Sequence, residues 1–301
     1  MSLKYDFTFA ENAIKYLESG NSEYLTKIAN SEAAQHILGH ARRFNYNVPK
    51  GSALELVTHL LTPLDKHKEK LPQVVRNLDY AKNHIANTGI AAATALQYLP
   101  TGFAFTGSIF FTFGYDIGVA FGHNCSLNLA HNIFAANMHE LKYYAIHEIH
   151  HAGFITLKDG YMPSQAAPTR GEMANIISYL THLEGTGTYA PLAIRQQENA
   201  LNADGDYMGD YAALQDTSHM RSLVKEYFEI YNYFNDNPYE PLVEADGNKV
   251  NILSDEKRLW YIVGAHMART IDAHLGRDKL TSLIREPSEN FINTYLTLRN
   301  N

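Results

Sequence analysis

The chain has 301 residues, a formal net charge of −7 at pH 7, and 45% hydrophobic against 19% charged residues. That length and balance suit one large or two ordinary folded domains and exclude a disordered chain, while the acidic balance gives no nucleic-acid footprint and speaks against an anionic membrane surface. A single cysteine, Cys125, excludes an intrachain disulfide framework and a cysteine-rich zinc knuckle. No apolar run approaches the roughly 18 residues of a membrane span; the least polar stretch, 101–120, is broken by glycines and Asp116. No signal peptide is legible. The expectation is a soluble, cytoplasmic chain, although Met1-Ser2-Leu3 also suits a cloning remnant, which leaves a removed leader open. The oligomeric state is not legible.

In chain order, residues 9–99 carry a helical pattern with stops at Gly20, Pro49–Gly51, Pro63 and Pro100. Residues 103–130 differ: aromatic and β-branched runs are punctuated by Gly114-Tyr115-Asp116 and Gly122-His123-Asn124, which are turn signals. They predict a small sheet whose last strand covers 125–130. A helix over 135–152 follows, then a turn at Asp159-Gly160, a helix over 170–183, a polar loop from Asn202 to Tyr211, and a helix to about 234. Residues 235–250 read as a long turn region, and helices over 254–275 and 278–298 close the chain. The fold class is therefore α+β and mainly helical. The expected organisation is a helical N-terminal region, 1–100, packed on a catalytic region, 101–301.

The first helix after the sheet carries the chemistry. His147-Glu148-Ile149-His150-His151 contains the H-E-x-x-H pattern. Residues four apart on a helix lie about 40° apart around its axis, so His147 and His151 can reach one metal ion. Glu148 lies roughly 100° from His147 and about 60° from His151. That is too far round for ligation and suited to holding a water, which implies metal-assisted hydrolysis with Glu148 as general base. His150 reads as a neighbouring or surface ring. The spacing by eight of His123, His131, His139 and His147 makes no helical stripe and is taken as accidental. His36 and His40 read as an ordinary pair on a helix surface.

Two imidazoles leave a catalytic zinc one ligand short. Glu172 completes a capping box with Thr169 and is explained by helix initiation. Glu184 continues the series Met173, Ile177, Leu180 at helical spacing, so it points inward. Placed at the helix C-terminal end, as the expected boundary implies, it would also oppose the macrodipole. A metal held by His147 and His151 supplies the missing cation, which makes Glu184 the candidate third ligand. The sequence also offers rivals. A di-iron bundle needs a second Glu-x-x-His, which is absent. A structural zinc site favours four ligands and cysteine. An inactive binding module, or a hydrolase of another small amide, retains the same residues. The loop with Asn202, Asp204 and Asp206 is rejected as a calcium loop, because Tyr207 stands where an EF-hand needs Gly and no closing Glu follows.

The combination resembles the gluzincin zinc metallopeptidases, in particular the poorly characterised families of zinc-dependent peptidases in that group. The resemblance covers about residues 108–298: the strand at 125–130, "HEIHH", "HLEGTGTY" (182–189), and "LWYIVGAHMARTIDAHLGRDKLTSLI" (259–284) with its Tyr261-x-x-Gly264 spacing. It implies a gluzincin-like fold, Zn2+ held by His147, His151 and Glu184, and hydrolysis of a peptide or protein substrate by zinc-bound water with Glu148 as base. It further implies that the strand 125–130 pairs with an extended substrate. Tyr189, Tyr261 or His266 would supply the oxyanion donor, with Tyr207 and Tyr211 as weaker candidates, and Gly264 would allow close backbone approach. The third-ligand motif of thermolysin-like enzymes and the Gly-x-Met-x-Asn motif of the large aminopeptidases are both absent, so neither substrate class carries over.

Overall fold

The computed structural model describes residues 2–158, 163, 167–201 and 209–299. It is mainly helical with one four-stranded sheet, as the patterning predicts. The expected turn at Asp159-Gly160 and the loop residues Asn202, Asp204, Asp206 and Tyr207 lie outside the described residues. The chain forms two compact units, residues 1–95 with 104–156, and residues 96–103 with 157–301. No described helix is long and apolar enough to cross a membrane.

The first unit is built on strands β1 (Ser2–Asp6), β2 (Thr106–Thr112), β3 (Gly118–Phe121) and β4 (Asn124–Asn128), in the order β1-β2-β4-β3. β1–β2 and β2–β4 are parallel and β3–β4 is antiparallel. A parallel pair needs a long crossover, and the helices between residues 8 and 96 make the one from β1 to β2. β3 and β4 are joined by Gly122-His123. A positive φ at Gly122 alone (63°) matches the glycine-first two-residue hairpin turn. The pleat then divides the sheet. Gly118, Ala120, Cys125 and Leu127 share one face with Ile109 and Phe111. Val119, Phe121, Phe110 and Ser126 share the other.

Helices α1 (Thr8–Ser19) and α2 (Glu32–Arg43) pack on the sheet. α2 starts at Ser31, whose hydroxyl accepts from the Ala34 N–H. It lies on the Val119–Phe121 face: the His36 ring is 5.3 Å from Phe110, and a Cβ on Gly39 would stand 2.7 Å from the Phe121 ring. The pair His36 and His40 is therefore not on a surface. Both rings are buried, at 6% and 7% exposure. His40 Nδ1 lies 3.0 Å from the Tyr115 hydroxyl, inside a cage of Phe44, Tyr46, Tyr115 and Phe121. The misreading has a simple cause: imidazole carries an apolar body, and an i, i+4 pair of such rings marks a core stripe as well as a wet one. Helix α3 (Glu140–Leu157) begins five residues later than expected, after a short separate helix at Asn132–Ala136.

In the second unit, α4 (Arg170–Tyr189) starts at the expected capping box: the Thr169 hydroxyl accepts from the Glu172 N–H, and Glu172 accepts from the Thr169 N–H. It ends six residues beyond the expected boundary at 183 and runs straight through Gly185 and Gly187. Gly185 is a packing residue, not a stop. A Cβ there would stand 2.4 Å from the backbone of Gly264 on helix α6 (Leu259–Leu275), and one on Gly264 would meet the Thr181 carbonyl at 2.5 Å. The expected close approach at Gly264 is therefore present. With α5 (Thr217–Asn235) and α7 (Ser288–Arg299), these helices enclose a core of Ile177, Tyr227, Phe234, Val263 and Phe291. The expected helix over 278–298 is interrupted at Pro287. The residue before it, Glu286, is forced into extended backbone (φ −93°, ψ 165°).

Candidate metal centre

α3 is enclosed along much of its length: Leu141, Ala145, Ile146, Ile149, Ala152 and Phe154 are all fully buried. The remaining arc of the helix carries Tyr144, His147, Glu148 and His151, so these polar residues are gathered on one side. Glu148 is 6% exposed, His151 5% and His150 fully buried, so His150 is not a surface residue. The rings of His147 and His151 stand 4.1 Å apart, centroid to centroid, as the i, i+4 spacing requires. Glu148 Oε2 lies 3.9 Å from His151 Nδ1. The acid therefore lies beside the ring pair, beyond hydrogen-bond distance of that nitrogen.

Among the described residues, one group of His, Cys, Asp or Glu side chains has the spacing of a metal site: His147, His151 and Glu184, whose donor atoms all lie within 4.8 Å of one another. Two imidazoles and one carboxylate form a recurrent donor set of catalytic zinc, one that keeps a fourth position open. The residues fit the group. The macrodipole argument for Glu184 does not hold, because α4 continues to Tyr189 and leaves Glu184 more than a turn inside the helix. Its inward spacing is the part that stands.

The remaining candidates occupy distinct settings. The Tyr189 hydroxyl donates to Asp272 at 2.7 Å; Asp272 also accepts from Arg277. Burial and the Asp272 carboxylate push the Tyr189 hydroxyl pKa up. His266 Nδ1 lies 3.3 Å from the Arg269 guanidinium, and burial, together with Arg269 and Arg299, pushes its pKa down to about 4. The Arg258 guanidinium sits 3.7 Å above the Tyr261 ring. Tyr211 is buried and donates to the Thr188 carbonyl at 3.1 Å. Cys125 is buried, and burial plus the nearby Glu148 charge raise its thiol pKa far from the reactive range.

Two features were not anticipated. The strand expected to pair with substrate, 125–130, forms as β4, Asn124–Asn128, but it lies inside the sheet. β2 takes one of its sides and β3 the other, so it has no edge to offer. Among the described residues, the edges are β1 and β3. The second feature is Gly118, the first residue of β3, which lies directly against Glu148. A glycine inside a strand pattern signals close approach of another group, and "GYDIGVAF" carried that signal.

A family model described as "Putative zinc dependent peptidase (DUF5700)" matches residues 11–300. No curated protein and no solved structure matches the chain. The match covers nearly the whole sequence, and the chain belongs to the family that this model describes.

Proposed function

From that membership we propose that the chain is a peptidase of gluzincin type that hydrolyses peptide bonds with His147, His151 and Glu184 as the zinc ligands and Glu148 as the general base. The observation that carries the reading is the grouping of these three donor atoms, with the Glu148 carboxylate beside His151 and outside the ligand set. Bound there, the ion would polarise the scissile carbonyl and acidify water. Glu148 takes the proton of the attacking water and passes it to the leaving amine. An extended substrate pairs with the edge of β3, not with β4, which places its backbone alongside Gly118 and so beside Glu148. We assign the oxyanion donor to Tyr261. The Arg258 guanidinium, itself held by Asp210 at 2.9 Å, packs on the Tyr261 ring and fixes its orientation.

The test is metal analysis of the purified protein, followed by cleavage of a mixed peptide pool with and without chelator. Glu148→Gln keeps its zinc and loses nearly all hydrolysis. Tyr261→Phe lowers kcat by about 10²–10³, more than Tyr189→Phe or His266→Gln does. Zinc binding with no cleavage of any peptide, or a Glu148→Gln variant as active as the parent, ends the proposal.

A further inference from the structure

Gly118 stands where the sheet meets the general base. An ideal Cβ built on it would lie 2.7 Å from Glu148 Oε1, 2.8 Å from Cγ and 2.9 Å from Cδ. Real Cβ contacts are not that short. The glycine is not there for its backbone. Its φ does not fall in the left-handed region, unlike those of Gly114 and Gly122 on either side, and its place in the ladder opposite Leu127 is open to any L-residue. What the missing side chain leaves room for is the Glu148 carboxyl group.

The strand cannot retreat to make that room in another way. On its opposite face, Phe121 already abuts Gly39 of α2. The segment leading into β3 is held at several points. Asn128 Oδ1 accepts from the Gly114 N–H, Asn128 N–H donates to the Ile117 carbonyl, and Tyr46 donates to Asp116 at 2.5 Å. His40 and Tyr115 pair at 3.0 Å. With the backbone held at these points, a methyl group at position 118 collides with the Glu148 side chain and displaces its carboxyl group. We propose that Gly118 is a positioning residue: its missing side chain forms the seat that fixes the Glu148 carboxylate in place. The kinetic half of this inference rests on the peptidase reading; the structural half does not.

Two double-mutant cycles on the zinc-loaded, full-length protein test it. In the kinetic cycle, Gly118→Ala retains zinc and loses about 10²-fold in kcat, the scale of an ångström of misplacement, with KM little changed. In the Glu148→Gln background the same substitution costs less than about twofold, because the base is already gone. An equal loss in both backgrounds, or no loss in the parent, overturns the positioning role. In the thermal cycle, Gly118→Ala lowers Tm while Glu148 is present, and the drop vanishes in Glu148→Ala. A drop of the same size in both overturns the seat itself, whether or not the protein cleaves peptides. Should Gly118→Ala fail to fold alone, the Gly118→Ala/Glu148→Ala pair folds if the seat is real and fails if it is not. A parent without peptidase activity removes the proposed function and leaves the thermal cycle standing as the test of Gly118.

Discussion

Glu172 and Glu184 share one helix and have opposite assignments. Glu172 is exposed, and its carboxylate accepts from the Thr169 N–H at 3.0 Å and from the Thr169 hydroxyl at 2.9 Å. It has local work to do at the helix start. Glu184 belongs to the group with His147 and His151 whose donor atoms lie within 4.8 Å of one another. The two therefore separate in a single experiment. Glu184→Ala lowers zinc affinity by more than the 10–100-fold that an outer-shell partner typically costs. Glu172→Ala leaves zinc content unchanged and costs about 0.5–1.5 kcal/mol of stability for the lost return hydrogen bond of the capping box. Equal metal content in the two purified variants would remove Glu184 from the ligand set. At this scale much was legible in the sequence. The closeness of the His147 and His151 rings and the place of Glu148 beside them follow from helical geometry, and the grouping of Glu184 with them follows from its spacing along the helix. The helix end that also supported Glu184 was misplaced, because a glycine in a helical pattern was taken for a terminator when it is a contact.

That contact sets the relation between two elements. α4 and α6 touch backbone to backbone at Gly185, Thr181 and Gly264, and a pair of helices drawn this close fixes the height at which α4 carries Glu184. The atoms that a new Cβ at position 264 would strike are a carbonyl oxygen and a Cα, neither of which rotates away. Gly264→Ala is therefore expected to separate the helices and cost about 1–3 kcal/mol, or roughly 2–4 °C of Tm per kcal/mol in a unit of this size. Gly247→Ala is the control. No atom lies within 4 Å of a Cβ there, and alanine in a helix is favoured over glycine, so its Tm stays level or rises. A tolerated Gly264→Ala would contradict the tight crossing. Element type was mostly readable from periodicity, but strand order was not. The alternation within β4 gives its faces, and nothing in it tells whether one or two neighbours flank it. The placement of β1 was equally hidden, since its partner in β2 lies about a hundred residues further along the chain.

Across the molecule, buried and half-buried histidines tie the fold to pH. Burial pushes His36 down to about 4 and His40 to about 3, the charge of His36 adding to the second; in the other unit His266 sits at about 4. The groups facing the α2 pair are the Tyr115 hydroxyl at His40 and the Val119 backbone at His36, with Asp116 held one step away by Tyr46. An unfolded histidine titrates near 6.5. Between that value and the depressed folded values, the unfolded chain binds more protons, so stability is full above about pH 6.5 and falls as pH drops toward about 4. Each ring that titrates only on unfolding contributes on the order of 1.4 kcal/mol per pH unit at most. The lowered carboxylates, Asp6, Asp246 and Glu286 among them, add their own loss at still lower pH. Urea midpoints measured at half-unit steps from pH 7.5 to 4 should decline through the histidine window, and His40→Gln, which keeps a polar atom for Tyr115, should flatten the decline in the first unit. The two units can be followed apart, because the sole tryptophan, Trp260, belongs to the second. Its fluorescence follows the unit that holds His266, while far-UV circular dichroism follows both. Midpoints that stay level from pH 7 to 4.5 by both probes would mean that these rings are hydrated in the folded protein, contrary to the burial of His36 and His40 and the half-burial of His266.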